Sequence, residues 1–476
     1  MKILLAGSEL TPFARTGGLG DVLDALPAAL AARGHEVSLV VPCYSAFLEA
    51  PELKPQPTGV RISIEVGHHR RIAEILECTA EYGVQLFLVR CDELFARSGL
   101  YGSEGRDFED NAERFIFFSK AVVELARRLR PAPDIAHVHD WQTALVPVLV
   151  AAQRLPFRSV LTIHNLAYQG SFWAPDFGLT NLPGSYFSAR GVEFYGRMNL
   201  LKAGILYASQ VTTVSARYAQ EIQTPAFGAG LDAVIREHAE KLHGILNGAD
   251  YRVWNPETDK LLPKKFGPSA MSGKTTSRTA LLKSLGLAPK PSGPIFALVT
   301  RLAQQKGIDL LVPLLDRLLA NDVRLVVLGE GQTSYERELG IASRRHPERF
   351  AYRRSMDEKL AHLIYAGADV FLIPSHFEPC GLSAMYALKY GAVPLAHATG
   401  GLYEMIQDYD SASDTGNGVL FHDDSPEALW DAMVRVLGYY GAPEQWAKLL
   451  QRGMACDFSW SRSVERYEEV YELAVK

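Results

Sequence analysis

Short apolar runs alternate with helix-length amphipathic segments along nearly the whole 476-residue chain, and this alternation restricts the fold more than any other feature. In the first half, Lys2–Ala6, Glu36–Val41, Val84–Val89, Ile135–His139 and Ser159–Ile163 are predicted as buried strands. Helical patterns cover Asp21–Ala32, Asn111–Leu129 and Thr143–Arg154. In the first of these, Val22, Ala25, Leu26, Ala29 and Leu30 share one face. A polar stretch around Lys260–Ser277 precedes a second series. Its strands are predicted at Ile295–Thr300, Val323–Leu328, Val370–Ile373 and Val393–Ala396, and its helices near Gly307–Ala320, Glu358–Ala366, Gly381–Tyr390 and Ser425–Leu437. Such alternation predicts parallel sheets with helices on both faces. Two series predict an α/β chain of two doubly wound domains, which suits a length beyond the ~250–300 residues at which a single core stops growing. The turn-rich group Asn247-Gly248-Ala249-Asp250 marks the predicted boundary, with domains over 1–247 and 248–457. Ser461–Ala474 has a helical pattern and stands outside the second series. Open sheets of this kind bind ligands beyond the carboxyl ends of their strands, so two facing sheets would form an interdomain cleft.

Composition narrows the class. A net charge of −5 gives no global pull toward nucleic acid or an anionic membrane surface. No run reaches the ~18 apolar residues of a membrane span, and Ser8, Glu9 and Pro12 break the N-terminal apolar run too early for a signal-peptide core. The five cysteines are scattered, with no C-x-x-C pair, which disfavours a disulfide framework or a zinc knuckle and fits a reducing cytoplasm.

Several groups at strand-to-helix junctions carry chemistry. Arg15-Thr16-Gly17-Gly18-Leu19-Gly20-Asp21 follows the first strand and opens a helix. Its glycines let backbone N–H groups approach an anion, and Arg15 adds a fixed positive charge. Neither a G-x-G-x-x-G nor a P-loop pattern is present, and a plain βα turn would need the same glycines. In the second series Arg301-Leu302-Ala303-Gln304-Gln305-Lys306-Gly307 holds the same place, and its two cations suit a diphosphate leaving group. A solvated pair of charges is the alternative. Pro374-Ser375-His376-Phe377-Glu378-Pro379-Cys380-Gly381-Leu382 places the carboxylate of Glu378 where it can hold sugar hydroxyls or face a cationic transition state, or else cap the following helix. Cys380 is read as an inert buried thiol. Thr399-Gly400-Gly401-Leu402 is a further glycine turn compatible with phosphate oxygens.

His137-Val138-His139-Asp140-Trp141 and His164-Asn165-Leu166-Ala167-Tyr168-Gln169-Gly170 combine the carboxylates, amides and aromatic rings that sugars need. His137, His139 and Asp140 have no further histidine to complete a metal site. Asp408-Tyr409-Asp410, which looks like the D-x-D metal motif, lies in a polar loop, and the cations Arg301 and Lys306 make a metal unnecessary; no cofactor is expected either.

Taken together, and in order over nearly the entire length, these segments resemble the bacterial glycogen synthase and plant starch synthase family. The resemblance extends through Tyr101–Phe118, Asn247-Gly248, Trp254-Asn255-Pro256-Glu257-Thr258-Asp259, Gly367-Ala368-Asp369 and Asp457-Phe458-Ser459-Trp460. It implies the GT-B fold, an acceptor-side first domain onto which the last helix (458–476) crosses back, and a donor-side second domain. It also implies retaining transfer of glucose from ADP-glucose, or UDP-glucose, to the 4-hydroxyl of a glycogen or maltooligosaccharide chain. By resemblance, Glu378, His164, Arg301, Lys306 and Asp140 are the catalytic set. Arg15, Gly18, Asn247, Thr399, Gly400, Gly401, Tyr168 and Gln169 bind substrate. The implied mechanism is a same-face displacement in which the leaving phosphate helps to take the acceptor proton and domain closure excludes water.

Departures from the family pattern cluster in the second domain. The usual lysine is Arg15, an arginine position is His376, and Thr-Gln is Ser383-Ala384. An adenine-facing tyrosine aligns with Met356, and Gly-Gly-Leu-Ala-Asp ends here in Tyr403-Glu404. They bear on the choice of nucleotide more than on the reaction class.

Overall fold

The computed structural model describes residues 1–79, 83–103, 105–289, 291–355 and 357–476. Two compact units divide the chain: Met1–Gly248 with Trp460–Lys476, and Ala249–Ser459.

The first unit is built on a nine-stranded sheet in the order Leu242–Gly244, Gln210–Thr213, Arg158–Ile163, Ile135–His139, Lys2–Ala6, Glu36–Pro42, Gln85–Arg90, His69–Thr79, Gln56–Val66. The first seven run parallel, because each pair is joined by a crossover long enough to cover the sheet. The wholly parallel sheet expected from the alternation is corrected at one edge. Gln56–Val66 and His69–Thr79 form an antiparallel hairpin that pairs with Gln85–Arg90. Its signal was a period of two, not an apolar run: Ile62, Ile64 and Val66 are buried while Arg61 and Glu65 face solvent. The central strand Lys2–Ala6 has Glu36–Pro42 on one side and Ile135–His139 on the other. The strand order therefore reverses here, and the segments beyond the carboxyl ends of these strands, Gly7–Gly20 and Asp140, occupy the place where sheets of this order bind ligands.

Helix Gly18–Ala32 starts three residues earlier than predicted, with Gly17 as its N-cap, so Gly18 and Gly20 lie inside its first turn. The helix predicted over Thr143–Arg154 is instead two short helices, Asp140–Thr143 and Leu145–Ala152. The C-terminal helix Trp460–Val475 packs against Gly18–Ala32. Glu468 pairs with Arg33 and His35 at 2.9 Å each, and Tyr471 Oη meets His137 Nδ1 at 2.8 Å.

In the second unit a six-stranded parallel sheet has the order Phe350–Arg353, Arg324–Leu328, Ile295–Val299, Val370–Ile373, Val393–His397, Val419–Phe421. The chain steps outward to one side of Ile295–Val299 and then to the other, the doubly wound order of dinucleotide-binding sheets. Its switch point lies at the carboxyl ends of Ile295–Val299 and Val370–Ile373, the places of Arg301–Gly307 and Pro374–Leu382. The long helix expected near Gly307–Ala320 is broken into Ile308–Leu311, a 3-10 turn Val312–Leu314 and Leu315–Leu319, because Pro313 has no N–H to continue the ladder. Among the described residues, no helix is long and apolar enough to cross a membrane.

Candidate functional site

In the second unit the side chains of Lys306, Ser375 and Glu378 converge. Lys306 Nζ donates to Glu378 Oε2 at 2.6 Å, and Ser375 Oγ donates to the same oxygen at 2.9 Å. Glu378 is buried, and Oε1 makes no hydrogen bond to any described residue, so one edge of the carboxylate is anchored and the other is available. The helix-cap alternative for Glu378 is set aside: the following helix, Leu382–Lys389, is capped by Gly381 in the left-handed region at φ +94°. Two hydrogen bonds fix the two segments to each other, from the His376 N–H to Gln305 O at 2.9 Å and from the side-chain Nε2 of Gln305 to Phe377 O at 3.2 Å. Gly307, at φ +66°, lets this junction form, since a Cβ there would overlap the Pro374 carbonyl oxygen. Arg301 is exposed and forms no side-chain hydrogen bond or ion pair with any described residue.

The glycine turn at Thr399-Gly400-Gly401 reaches the same place but uses its backbone differently from the sequence expectation. The Gly401 N–H donates to the carbonyls of Glu378 and Pro379 at 3.1 and 3.2 Å. Gly400, at φ +46°, lies against the Glu378 carbonyl so closely that a Cβ would overlap it. This turn therefore holds the Glu378 backbone in position.

In the first unit the glycine loop is organised by a residue that the sequence reading missed. Glu9, 3% exposed, accepts from the Thr16 and Gly17 N–H groups at 2.9 and 3.2 Å, from Thr16 Oγ1 at 2.6 Å and from Tyr101 Oη at 2.8 Å. The backbone donors just ahead of the helix are thus already satisfied by a carboxylate. Arg15 Nη1 stands 3.4 Å from Asp21 Oδ1. The available signal was the spacing of a lone acid before a glycine turn, which is too common to single out.

Asp140 follows strand Ile135–His139 with φ +56°, a left-handed conformation that is uncommon for a non-glycine residue. Its Oδ1 accepts the His164 N–H at 2.7 Å. Desolvation raises its carboxyl to about 7, against the His164 N–H, which lowers it, and with a further rise from the nearby Glu9 charge. His164 Nε2 lies 3.0 Å from His139 Nδ1, and burial holds His164 down to about 3.

Both nitrogens of His137 are engaged, Nδ1 with Tyr471 Oη at 2.8 Å and Nε2 with Thr162 Oγ1 at 2.6 Å, which leaves no lone pair for a metal. Asn247 is buried, and its Oδ1 has no hydrogen-bond partner among the described residues. Gln169 spends its amide on Ala229 O and Asn199 Nδ2, whereas Tyr168 is exposed. Asp408 binds Arg435 and the Leu420 N–H, and Asp410 caps its own turn through Ala412 N and Ser413 Oγ. The D-x-D-like triplet is accounted for by these contacts.

Of the departures, His376 has a clear structural role. Its Nδ1 lies 2.7 Å from Asp424 Oδ1 and its Nε2 3.0 Å from Asp309 Oδ1, so both nitrogens donate only when the ring is charged. Partial burial pulls the imidazolium down, but the hydrogen bonds to Asp424 and Asp309 outweigh this and hold His376 above the ordinary histidine value. The bridge therefore contributes its full stability below about pH 6.5, the unfolded value, and loses it as pH rises through the folded value. With both aspartates partly exposed, the expected loss is roughly 0.5–1 kcal/mol. Thermal melts at pH 6 and pH 9 should show this extra loss in the unmodified protein and not in His376→Gln; an equal pH dependence in both would refute the bridge. Met356 lies outside the described residues.

A family model described as the starch synthase catalytic domain matches residues 2–237, and one described as glycosyl transferases group 1 matches 286–449. The chain is 44% identical over 478 residues to the glycogen synthase of Anaeromyxobacter dehalogenans, covering 99% of this chain and 98% of that one. It is 41% identical over 477 residues to the glycogen synthase of Opitutus terrae, covering 99% of each. Among solved structures, the catalytic domain of starch synthase IV from Arabidopsis thaliana bound to ADP and acarbose matches with a TM-score of 0.93 at 33% identity, covering 100% of this chain and 99% of that one.

Proposed function

Because the chain belongs to the glycogen and starch synthase family of glycosyltransferases and has its GT-B fold, we propose that it transfers glucose from ADP-glucose to the non-reducing 4-hydroxyl of an α-1,4-glucan, with retention at the anomeric carbon. The observation that carries this reading is the Lys306–Ser375–Glu378 cluster at the switch point of a doubly wound sheet, with an unengaged Arg301 on the same loop. Lys306 has three protons, of which Glu378 takes one, so two remain for the oxygens of a departing diphosphate, and Arg301 adds a second cation. The open Oε1 of Glu378 faces the sugar, where it accepts from a hydroxyl and offsets the positive charge that builds at C1. In the retaining step the C1–O bond to the phosphate breaks and the bond to the acceptor oxygen forms on the same face. The departing phosphate oxygen takes the acceptor proton.

His164, oriented through Asp140, and the orphaned Oδ1 of Asn247 serve the sugar and its surroundings, since a buried unpaired acceptor is a group that a ligand donor satisfies. Arg15 and Gly18 in the first unit, and Thr399, Gly400 and Gly401 in the second, serve the donor, the last two chiefly by fixing Glu378. Tyr168 and Gln169 lie on the His164 loop, on the acceptor side. The first unit is the acceptor domain and the second the donor domain, working in the cytoplasm. ADP is preferred over UDP, a choice supported by the ADP named with the Arabidopsis structure.

The test is incorporation of labelled glucose into glycogen from ADP-glucose and from UDP-glucose in parallel. The expected result is glucan formation with ADP-glucose at least tenfold faster. Faster transfer from UDP-glucose would overturn the donor, and no nucleotide release from either would leave a glucan-binding protein without catalysis.

A further inference from the structure

The contact between His139 and His164 determines where the proton on the His164 ring resides. His139 Nδ1 and His164 Nε2 are 3.0 Å apart, with ring centroids at 5.3 Å and planes within 27°. Burial depresses both imidazoles far below the ordinary histidine range, so both are neutral near pH 7. Two neutral rings that meet nitrogen to nitrogen share one proton at the contact, which leaves two arrangements. In the first, His139 donates from Nδ1, its Nε2 is a bare acceptor, and His164 carries its proton on Nδ1. In the second, His164 donates from Nε2 and His139 carries its proton on Nε2.

The surroundings of His139 decide between them. His139 is 0% exposed, and its Nε2 meets no hydrogen-bond partner among the described residues. The second arrangement would bury an N–H with nothing to accept it; the first leaves only an unused lone pair. Orphaned buried N–H groups are the rarer of the two in folded proteins. The His139 ring cannot easily turn away from this contact. Its own backbone is clamped at both ends by Thr143, whose Oγ1 accepts the His139 N–H at 2.8 Å and donates to the His139 carbonyl at 2.7 Å. Its face lies 4.3 Å, centroid to centroid, from the ring of His137. His137 in turn is held by Tyr471 and by Thr162, whose hydroxyl continues to Thr212 Oγ1 at 2.6 Å.

We propose that His139 is a positioning residue that fixes His164 as the Nδ1–H tautomer, so that His164 presents a hydrogen-bond donor from the ring edge that no described residue engages. The hydrogen bond at one imidazole nitrogen sets the protonation of the other. A donor at that edge recognises a sugar hydroxyl by its oxygen lone pairs and does not accept the hydroxyl proton. Only this catalytic consequence rests on the glucosyl-transfer reading; the tautomer itself does not.

The test uses the full-length protein labelled with 15N at histidine, with His164→Gln to assign the His164 signals. Between pH 6 and 8 the unmodified protein should show a protonated, pyrrole-like Nδ1 and a bare, pyridine-like Nε2 for His164. His139→Phe should give a tautomer mixture. His139→Asn, whose side-chain amide N–H stands in for Nδ1–H, should restore the single form. In turnover, His139→Phe should lower kcat roughly ten- to hundredfold while KM for ADP-glucose stays within about twofold, and His139→Asn should recover most of the loss. A protonated Nε2 on His164 in the unmodified protein would overturn the assignment. A folded His139→Phe with unchanged kcat would overturn the positioning role. If the unmodified protein makes no glucan, the proposed activity fails, and the 15N spectrum still decides the tautomer.

Discussion

Lys306→Ala is expected to lower kcat/KM for ADP-glucose by about a hundred- to a thousandfold, the range found when a donor aimed at developing charge is removed. The substitution removes a cation from the leaving diphosphate, and it also leaves Glu378 with Ser375 as its remaining side-chain partner. These two effects can be separated. Glu378→Ala keeps the lysine and releases it from its carboxylate, so ADP, which carries the diphosphate without the sugar, should bind at least as tightly as to the unmodified protein. Lys306→Ala should weaken ADP binding, read by calorimetry, about tenfold or more. Lys306→Arg keeps the charge but replaces a compact ammonium by a planar fork, and should recover only part of the activity. Because the two side chains share a 2.6 Å contact, the double substitution should cost less than the sum of the single ones. If Lys306→Ala stays folded and within twofold of the unmodified rate, the lysine has no part in the reaction.

The backbone of this site was legible in the sequence, whereas most of its side-chain partnerships were not. Strands Lys2–Ala6, Ile135–His139 and Val370–Ile373 have the limits read from their apolar runs, because a strand buried on both faces has little choice of composition. The junctions after the strands are fixed by local sequence, so Arg15–Asp21 follows Lys2–Ala6, Arg301–Gly307 follows Ile295–Val299 and Pro374–Leu382 follows Val370–Ile373. What each group touches depends on residues remote in the chain. Lys306 meets Glu378 from 72 positions away, and Tyr101 reaches Glu9 from 92. No periodicity encodes such pairs. The Gly400–Gly401 turn shows the same limit: the close approach of Gly400 to the Glu378 carbonyl, which requires a glycine there, could not be read from the sequence. The edge hairpin is hidden for a different reason: a half-buried strand is encoded by alternation and contains no continuous apolar run.

Replacing Glu9 tests whether the glycine loop must be held by a carboxylate or only by an acceptor. Glu9→Ala removes the acceptor for the Thr16 and Gly17 N–H groups, for Thr16 Oγ1 and for Tyr101 Oη. Thr16 is exposed, so water can replace part of this, and the expected loss of stability is about 2–3 kcal/mol, less than four unsatisfied donors would cost. Loss of loop geometry next to Arg15 and Gly18 should cost roughly a hundredfold in kcat/KM. Glu9→Gln behaves differently. With its oxygen turned to the Thr16 and Gly17 N–H groups, its amide nitrogen faces two hydroxyls that can rotate to accept, and Tyr101 can still bond Ser8 Oγ at 2.7 Å. The loop should therefore stay ordered and the melting temperature nearly unchanged. The negative charge is gone, however, and that charge helps to hold the Asp140 carboxyl up to about 7. Asp140 should then titrate lower, which a carboxyl 13C titration reads directly, and any limb of the pH–rate profile due to Asp140 should move the same way. If Glu9→Gln is as damaging as Glu9→Ala, the loop needs the charge itself. If Asp140 does not move, the two carboxylates are not electrostatically coupled.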